Sequence, residues 1–172
     1  MIYMAFSPVF LSVVFVVRNQ AENIEKILAD AASVIAPLVS DYELIVVDNA
    51  SKDNSIAALK RLTLVNGHPN LQVYALTKEV GADTASWVGL ENALGDFIAV
   101  LDPLLDDINF MPQMLDKVVS DADVVFATNQ QKPKQSLAYK VAYMAFDAMY
   151  KTFNNIHLGK EAAKLEDILI TS

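Results

Sequence analysis

Short apolar runs alternate with stretches whose apolar residues recur at helical spacing, and this alternation limits the chain to very few architectures. Ser12 to Val17, Glu43 to Val47, Leu71 to Leu76, Phe97 to Leu101 and Ala122 to Thr128 read as strands. Between the first two, Ile24, Ile27, Leu28, Ala31, Ile35 and Leu38 form the stripe of an amphipathic helix. Asp53 can cap a short helix that buries Ile56, Leu59 and Leu62. Asn66 to Asn70 is a turn. A helix through Trp87, Leu90 and Leu94 follows, with Trp87 in the core and Gly95 as its C-terminal stop. Met111 to Val119 is a helix that tolerates Pro112 in its first turn. A polar loop leads to a long aromatic helix, Leu137 to Phe153, and Leu165 to Ile170 reads as a last strand. Strand, helix, strand at this spacing means right-handed crossovers and an α/β fold. The expectation is a mostly parallel sheet with helices on both faces. With 172 residues and no linker or repeat, 1–172 reads as a single domain.

Charge narrows the partners. Asp and Glu outnumber Lys and Arg by 21 to 13, and no basic cluster offsets this, so nucleic acid is not expected as a partner. An anionic ligand would need a metal ion or a local cation. There is no cysteine, which excludes disulfides, thiolate catalysis and cysteine-bound zinc. The apolar opening, Met1 to Val17, lacks a positively charged start and a cleavage site. Its β-branched end suits a buried parallel strand better than a spanning helix. The chain is therefore expected in the cytoplasm.

Ligands of parallel sheets bind beyond the carboxyl ends of the strands. That rule selects Val17 to Gln20, Asp48 to Asp53, Thr77 to Asp83 and Asp102 to Asp107. Within these windows Val17, Asn19, Asp48, Ser51 and Gly81 are the candidate nucleotide-binding residues. Asp48 can accept hydrogen bonds from a base or ribose; the alternative is that Asp48 to Asp53 is turn chemistry alone. Asp102, Asp106 and Asp107 supply hard oxygen ligands for Mg²⁺ or Mn²⁺, unless they only cap the helix that begins near Asn109. His68 and His157 have no metal-ligand spacing and read as surface residues. There is no P-loop, and the lone Gly81 is no dinucleotide fingerprint.

Three segments in order carry a family resemblance. Ser12-Val-Val-Phe-Val-Val-Arg-Asn-Gln20 resembles S-V-V-I-P-x-Y-N-E, the opening of family 2 glycosyltransferases. Glu43-Leu-Ile-Val-Val-Asp-Asn-Ala-Ser-Lys-Asp53 is similar to the family's E-I-I-V-V-D-D/N-G/A-S-x-D. Gly89-Leu-Glu-Asn-Ala-Leu-Gly-Asp-Phe-Ile-Ala-Val-Leu-Asp102 is similar to G-L-x-x-A-x-G-D-Y-I-x-x-L-D. The resemblance implies the glycosyltransferase A fold, which is Rossmann-like, and a nucleotide-sugar donor. It implies that Asp48 contacts the base and that Asp102 opens a metal-binding D-x-D. The aromatic helix and the tail Glu166 to Ser172 are similar to the polyprenyl-phosphate subgroup, related to dolichyl-phosphate mannose synthase. That subgroup implies a lipid-phosphate acceptor, with a saccharide as the other class, and a peripheral place at the inner face of the membrane.

The departures fall on site residues. The opening Pro, Tyr and Glu are Val16, Arg18 and Gln20, and the third position of D-x-D is Leu104. Trp87 stands where the family often has Arg or Asn, and Leu169 where the tail has Arg. Inverting transfer needs a general base, for which only Glu166 and Asp167 are on offer, so no catalytic residue is assigned. The resemblance leads to the expectation that the family's C-terminal acceptor half is short or missing here. Two further readings stay open: an inactive binding or regulatory module on a transferase scaffold, and a piece of a larger assembly. In the second, Leu137 to Phe153, apolar on more than one side, would meet another subunit or a membrane surface.

Overall fold

The structure is a computed structural model that describes residues 6–64, 66–68, 70–120 and 122–127. These lie in the first of two compact units, Met1–Thr128 and Asn129–Ser172. The described elements are β1 (Ser7–Val17), α1 (Ile24–Ile35), β2 (Val39–Asp48), α2 (Ser55–Leu62), β3 (Leu71–Ala75), α3 (Ala82–Asn92), β4 (Phe97–Leu101) and α4 (Met111–Ser120). A 3-10 turn, Ile108–Phe110, leads into α4.

The strands form a four-stranded sheet in the order β3-β2-β1-β4. Every pairing is parallel. Val17 stands opposite Asp48, Asp48 opposite Ala75, and Phe15 opposite Leu101, so these four strands end along one edge. Alternation sorts the side chains. Leu11, Val13, Phe15 and Val17 join Leu44 and Val46 against α1, α2 and α4, in a core with Leu28, Ile35, Leu59 and Leu115. The other face of the same strands, Val14, Ile45 and Val47, packs on Ala85 of α3. Burial on both faces is why β1 and β2 read as unbroken apolar runs.

A buried carboxylate ties the amino-terminal half together. Glu43 Oε1 accepts from the Ser12 hydroxyl (2.6 Å) and the Leu94 N–H (2.7 Å), and Oε2 accepts from the Gln72 amide (2.5 Å). The Ser12 hydroxyl in turn accepts from the Gly95 N–H at 2.8 Å. The α3–β4 connection is thereby bound to β1, β2 and β3.

Three expectations need correction. Trp87 is not in the core: it is 61% exposed. The face of α3 that meets the sheet is Ala85 and Gly89, four residues apart, and Trp87, midway between them in sequence, points to the opposite side. Gly95 is no helix stop either, because α3 ends at Asn92 and Ala93 is already extended. A Cβ at Gly95 would stand 2.6 Å from the Ser12 nitrogen and 2.8 Å from the Phe10 carbonyl oxygen, so close approach to β1 is what requires glycine. Residues 122–127 form no strand, and Val124 and Phe126 are exposed. An apolar run makes a strand only where a neighbouring edge receives it, and β4 pairs with β1 alone among the described strands. Leu137 to Phe153, Leu165 to Ile170 and His157 lie outside the described residues. No helix among the described residues is long and apolar enough to cross a membrane.

Candidate functional site

The strand order reverses between β1 and β4, and such a reversal opens a crevice at the carboxyl edge. Asp48 is the last residue of β2 and Asp102 the first after β4, so both stand on that edge. They are not on neighbouring strands, as their similar positions in sequence suggest, because β1 runs between them. Two interstrand spacings, about 10 Å, separate their strands.

The Asp48 side is built by two loops stitched to each other. Asn19 and Ala50 both have φ of 54°, which turns the chain sharply after β1 and β2. The Asn19 N–H donates to the Ser51 hydroxyl (2.8 Å), and the Lys52 N–H donates to the Asn19 side-chain oxygen (2.8 Å). The Gln20 N–H donates to the Ser55 hydroxyl (2.8 Å), and the Ala21 N–H to Asp53 (3.1 Å). The Asn54 N-cap makes no side-chain cap; Asp53 accepts instead from the Ser55 N–H (2.9 Å) and hydroxyl (2.5 Å). Those bonds, the Ser55 hydroxyl foremost, hold the Asp53 carboxyl below the usual carboxylate range. The β3–α3 loop is clamped from the same place. The Asn49 side chain donates to the Val80 carbonyl (2.9 Å) and accepts from its N–H (3.0 Å).

Asp48 is fully buried at the centre of this frame. Its Oδ2 accepts from the Ser51 N–H at 3.0 Å. Its Oδ1 is buried with no partner, as is Nε of Arg18, the residue after β1. An unpaired buried carboxylate oxygen is costly, and a ligand N–H or hydroxyl would satisfy it. Of the other candidates, Asn19 and Ser51 hold the loops that frame Asp48. Val17 lends no side chain: it is in the core, and its carbonyl accepts from the Asn49 N–H at 2.8 Å. Gly81 caps α3 on this edge, with open space where a Cβ would stand.

On the β4 side the chain makes a tight acidic turn. The Asp102 N–H donates to Asp106 Oδ2 (2.8 Å), and the Leu104 N–H donates to Asp102 Oδ1 (2.9 Å). Asp102 and Asp106 are thus brought together, each with its second carboxylate oxygen in no hydrogen bond among the described residues. Asp107 is drawn away. It caps the 3-10 turn, accepting from the Asn109 N–H (3.0 Å) and side-chain amide (2.7 Å), and the N–H bond above all lowers its carboxyl pKa. Leu104 is 66% exposed and supplies no ligand. Among the described residues no three His, Cys, Asp or Glu side chains gather as a metal cage. Two carboxylates still fit a hard divalent ion of the Mg²⁺ type, which is commonly held by one or two carboxylates plus substrate phosphates and water.

Sequence reasoning missed the Glu43 anchor, the Asn49 clamp, and the ion pair of Arg18 with Glu79 (2.6 Å). Polar residues inside otherwise apolar strand runs, Ser12, Glu43 and Gln72, were the available signal for the first. A cavity of about 240 Å³ beside Phe10, Tyr42, Asn70 and Gln72 lies at the amino ends of the strands, away from this edge.

A parallel sheet in this order is a Rossmann-like α/β fold, and the solved structures it matches make it one of the glycosyltransferase A kind. The chain belongs to glycosyl transferase family 2, whose family model matches residues 12–167. It is 28% identical over 142 residues to the undecaprenyl-phosphate 4-deoxy-4-formamido-L-arabinose transferase of Proteus mirabilis, a match covering 81% of this chain and 42% of that protein. Its fold matches a mannosyltransferase of Pyrobaculum calidifontis solved with GDP-Man and Mn²⁺, with a TM-score of 0.51 and 21% identity, over 66% of this chain and 33% of the other. It also matches mannosyl-3-phosphoglycerate synthase of Rubrobacter xylanophilus, with a TM-score of 0.52 and 21% identity, over 83% and 48%. The match spans between 30% and 42% of the length of the curated relatives.

Proposed function

We propose that this chain carries the donor-binding half of a sugar transfer from a nucleoside-diphosphate sugar to a lipid-phosphate or saccharide acceptor. The observation that carries the reading is the pair of acidic sites flanking β1, with Asp48 Oδ1 buried and unpartnered. Asp48 would accept hydrogen bonds from the nucleoside, while Asn19 and Ser51 hold the loops that shape its pocket. Asp102 and Asp106 would hold Mg²⁺ or Mn²⁺ at the diphosphate. Such an ion supplies charge neutralisation for the leaving nucleoside diphosphate. Asp107, spent on Asn109, is the weakest of the three ligands. The name of the Proteus mirabilis relative favours a polyprenyl-phosphate acceptor. An acceptor of that kind is met at a membrane surface, so a peripheral place at the inner face of the membrane belongs with this reading, and Leu137 to Phe153 is the segment proposed to meet it or a second subunit. Family membership favours transfer over an inactive scaffold.

Titration calorimetry with UDP- and GDP-sugars, in Mn²⁺ and in EDTA, tests the donor site. Binding of one donor class is expected in Mn²⁺ and is weaker in EDTA. Asp102→Ala should remove that difference, weakening binding in Mn²⁺ roughly tenfold or more, as for a lost charged contact. Equal binding in EDTA, or no binding of either class, would count against the reading.

A further inference from the structure

Arg18 follows β1 on the carboxyl edge, between the Asp48 side and the Asp102 side. Its guanidinium does not face the acidic turn of Asp102. It reaches the other way, to Glu79 in the loop after β3, with Nη2 2.6 Å from Oε2. Because β2 lies between β1 and β3, this ion pair spans the end of β2, where Asp48 is buried. The loop that carries Glu79 is already pinned there, since the Leu76 N–H donates to the Asp48 carbonyl (2.9 Å) and Asn49 clamps Val80.

On these two adjacent strand ends, two buried groups have no partner: Asp48 Oδ1, an acceptor, and Arg18 Nε, a donor. Burying a guanidinium N–H without a partner is unfavourable, and the Glu79 carboxylate engages only the far end of the fork. The pair itself is partly exposed, at 36% for the arginine side chain and 55% for the glutamate, so it is held weakly. A guanidinium binds carboxylate and phosphate by the same two-pronged geometry. Glu79 is therefore an anionic stand-in on a cation whose side chain is rooted at the end of β1, between the strands that carry Asp48 and Asp102.

We propose that Arg18 is a donor-binding residue, kept on Glu79 in the free protein and released when a nucleoside diphosphate displaces that carboxylate. The inference rests on the nucleotide-donor reading and deepens it. It supplies within the chain a cation for the diphosphate, beside a metal turn reduced to two carboxylates. The exchange also uncovers Asp48 for the nucleoside, so binding at the two ends is coupled through one side chain.

The test is titration of UDP and GDP in Mn²⁺ into the wild type, Arg18→Gln, Arg18→Lys, Glu79→Gln and the double variant Arg18→Gln/Glu79→Gln. For whichever diphosphate the wild type binds, Arg18→Gln is expected to weaken binding roughly ten- to hundredfold, and Arg18→Lys less. Glu79→Gln is expected to tighten it by about two- to fivefold, because the competing anion is gone. That gain should vanish in the double variant, a coupling that a merely structural arginine would not produce. Thermal midpoints of the unliganded variants establish folding, and Arg18→Lys keeps the charge should the glutamine variant not fold. Unchanged affinity in Arg18→Gln, weaker binding in Glu79→Gln, or the same gain from Glu79→Gln with and without Arg18 would overturn the inference alone. No binding of either diphosphate by the wild type would overturn the donor-site reading, and this inference with it.

Discussion

Ala50 carries the clearest backbone cost in the site: its φ of 54° lies in the left-handed region that a Cβ disfavours. Asn19 shares that φ, but asparagine tolerates it and its side chain is used to accept from Lys52. Ala50→Gly is therefore expected to stabilise the protein by about 0.5–1 kcal/mol. Urea unfolding would register this as a higher midpoint at unchanged slope, and a lower midpoint would contradict it. Asp53 makes a second prediction at this scale. Its carboxyl is held below the ordinary value, so the unfolded chain binds protons that the folded one does not. The associated stability is fully present above the unfolded value, about pH 4, and is lost as pH falls through the lower folded value. Asp53→Asn keeps an acceptor for the Ser55 N–H but cannot titrate there. Its unfolding midpoint should decline less steeply than that of the wild type below about pH 4. Parallel acid limbs for the two proteins would show that Asp53 is not a linked group.

At the scale of elements, the glycines of the third motif fix how α3 and β4 meet β1. A Cβ at Gly89 would lie 2.2 Å from Cγ1 of the buried Val14, and one at Gly95 would press on the β1 backbone. Backbone cannot rotate aside as a side chain can. Gly95→Ala is thus expected to cost on the order of 2–3 kcal/mol, and to loosen the Leu94 and Gly95 bonds to Glu43 and Ser12. Thermal unfolding with amide exchange at residues 94–98 would show it; a wild-type midpoint would contradict the close-packing account. These glycines also mark where the sequence was and was not readable. β4 runs over the same residues its apolar run indicates, and β1 and β2 are only extended beyond theirs; in β1 and β2 burial on both faces leaves an unmistakable signature. α3 was misread, since its contact face is small residues, and hydrophobicity points instead to Trp87 on the exposed side. Asp48 and Asp102 were legible as strand-end carboxylates. The intervening β1 was not, because sheet order depends on long-range pairing that no local pattern encodes. Asp107 looked equivalent to Asp106 in sequence; only the 3-10 turn distinguishes them, by claiming its carboxylate.

The whole molecule carries a formal charge of -8, and the ligand proposed for it is itself an anion. Long-range repulsion must then oppose encounter, while short-range groups at the edge, Arg18 and a divalent ion on Asp102 and Asp106, hold the ligand once it arrives. These two contributions respond differently to salt. The Debye length falls from about 30 Å at 0.01 M to about 10 Å at 0.1 M, so added salt screens the distant carboxylates before it affects contacts of a few ångströms. Association of a metal-free nucleoside diphosphate should therefore speed up as salt is raised through this range, the reverse of the slowing seen when opposite charges steer a complex together. In Mn²⁺ the ligand arrives partly neutralised and the same series should be nearly flat. Dissociation should change little in either case, because it reports the local contacts. Stopped-flow binding of a fluorescent nucleoside diphosphate at 10 to 300 mM NaCl, with Mn²⁺ or EDTA, measures both rates. Metal-free association that slows steadily with salt would mean that the edge presents a net positive field. The acidic surround would then have been masked locally by more than Arg18.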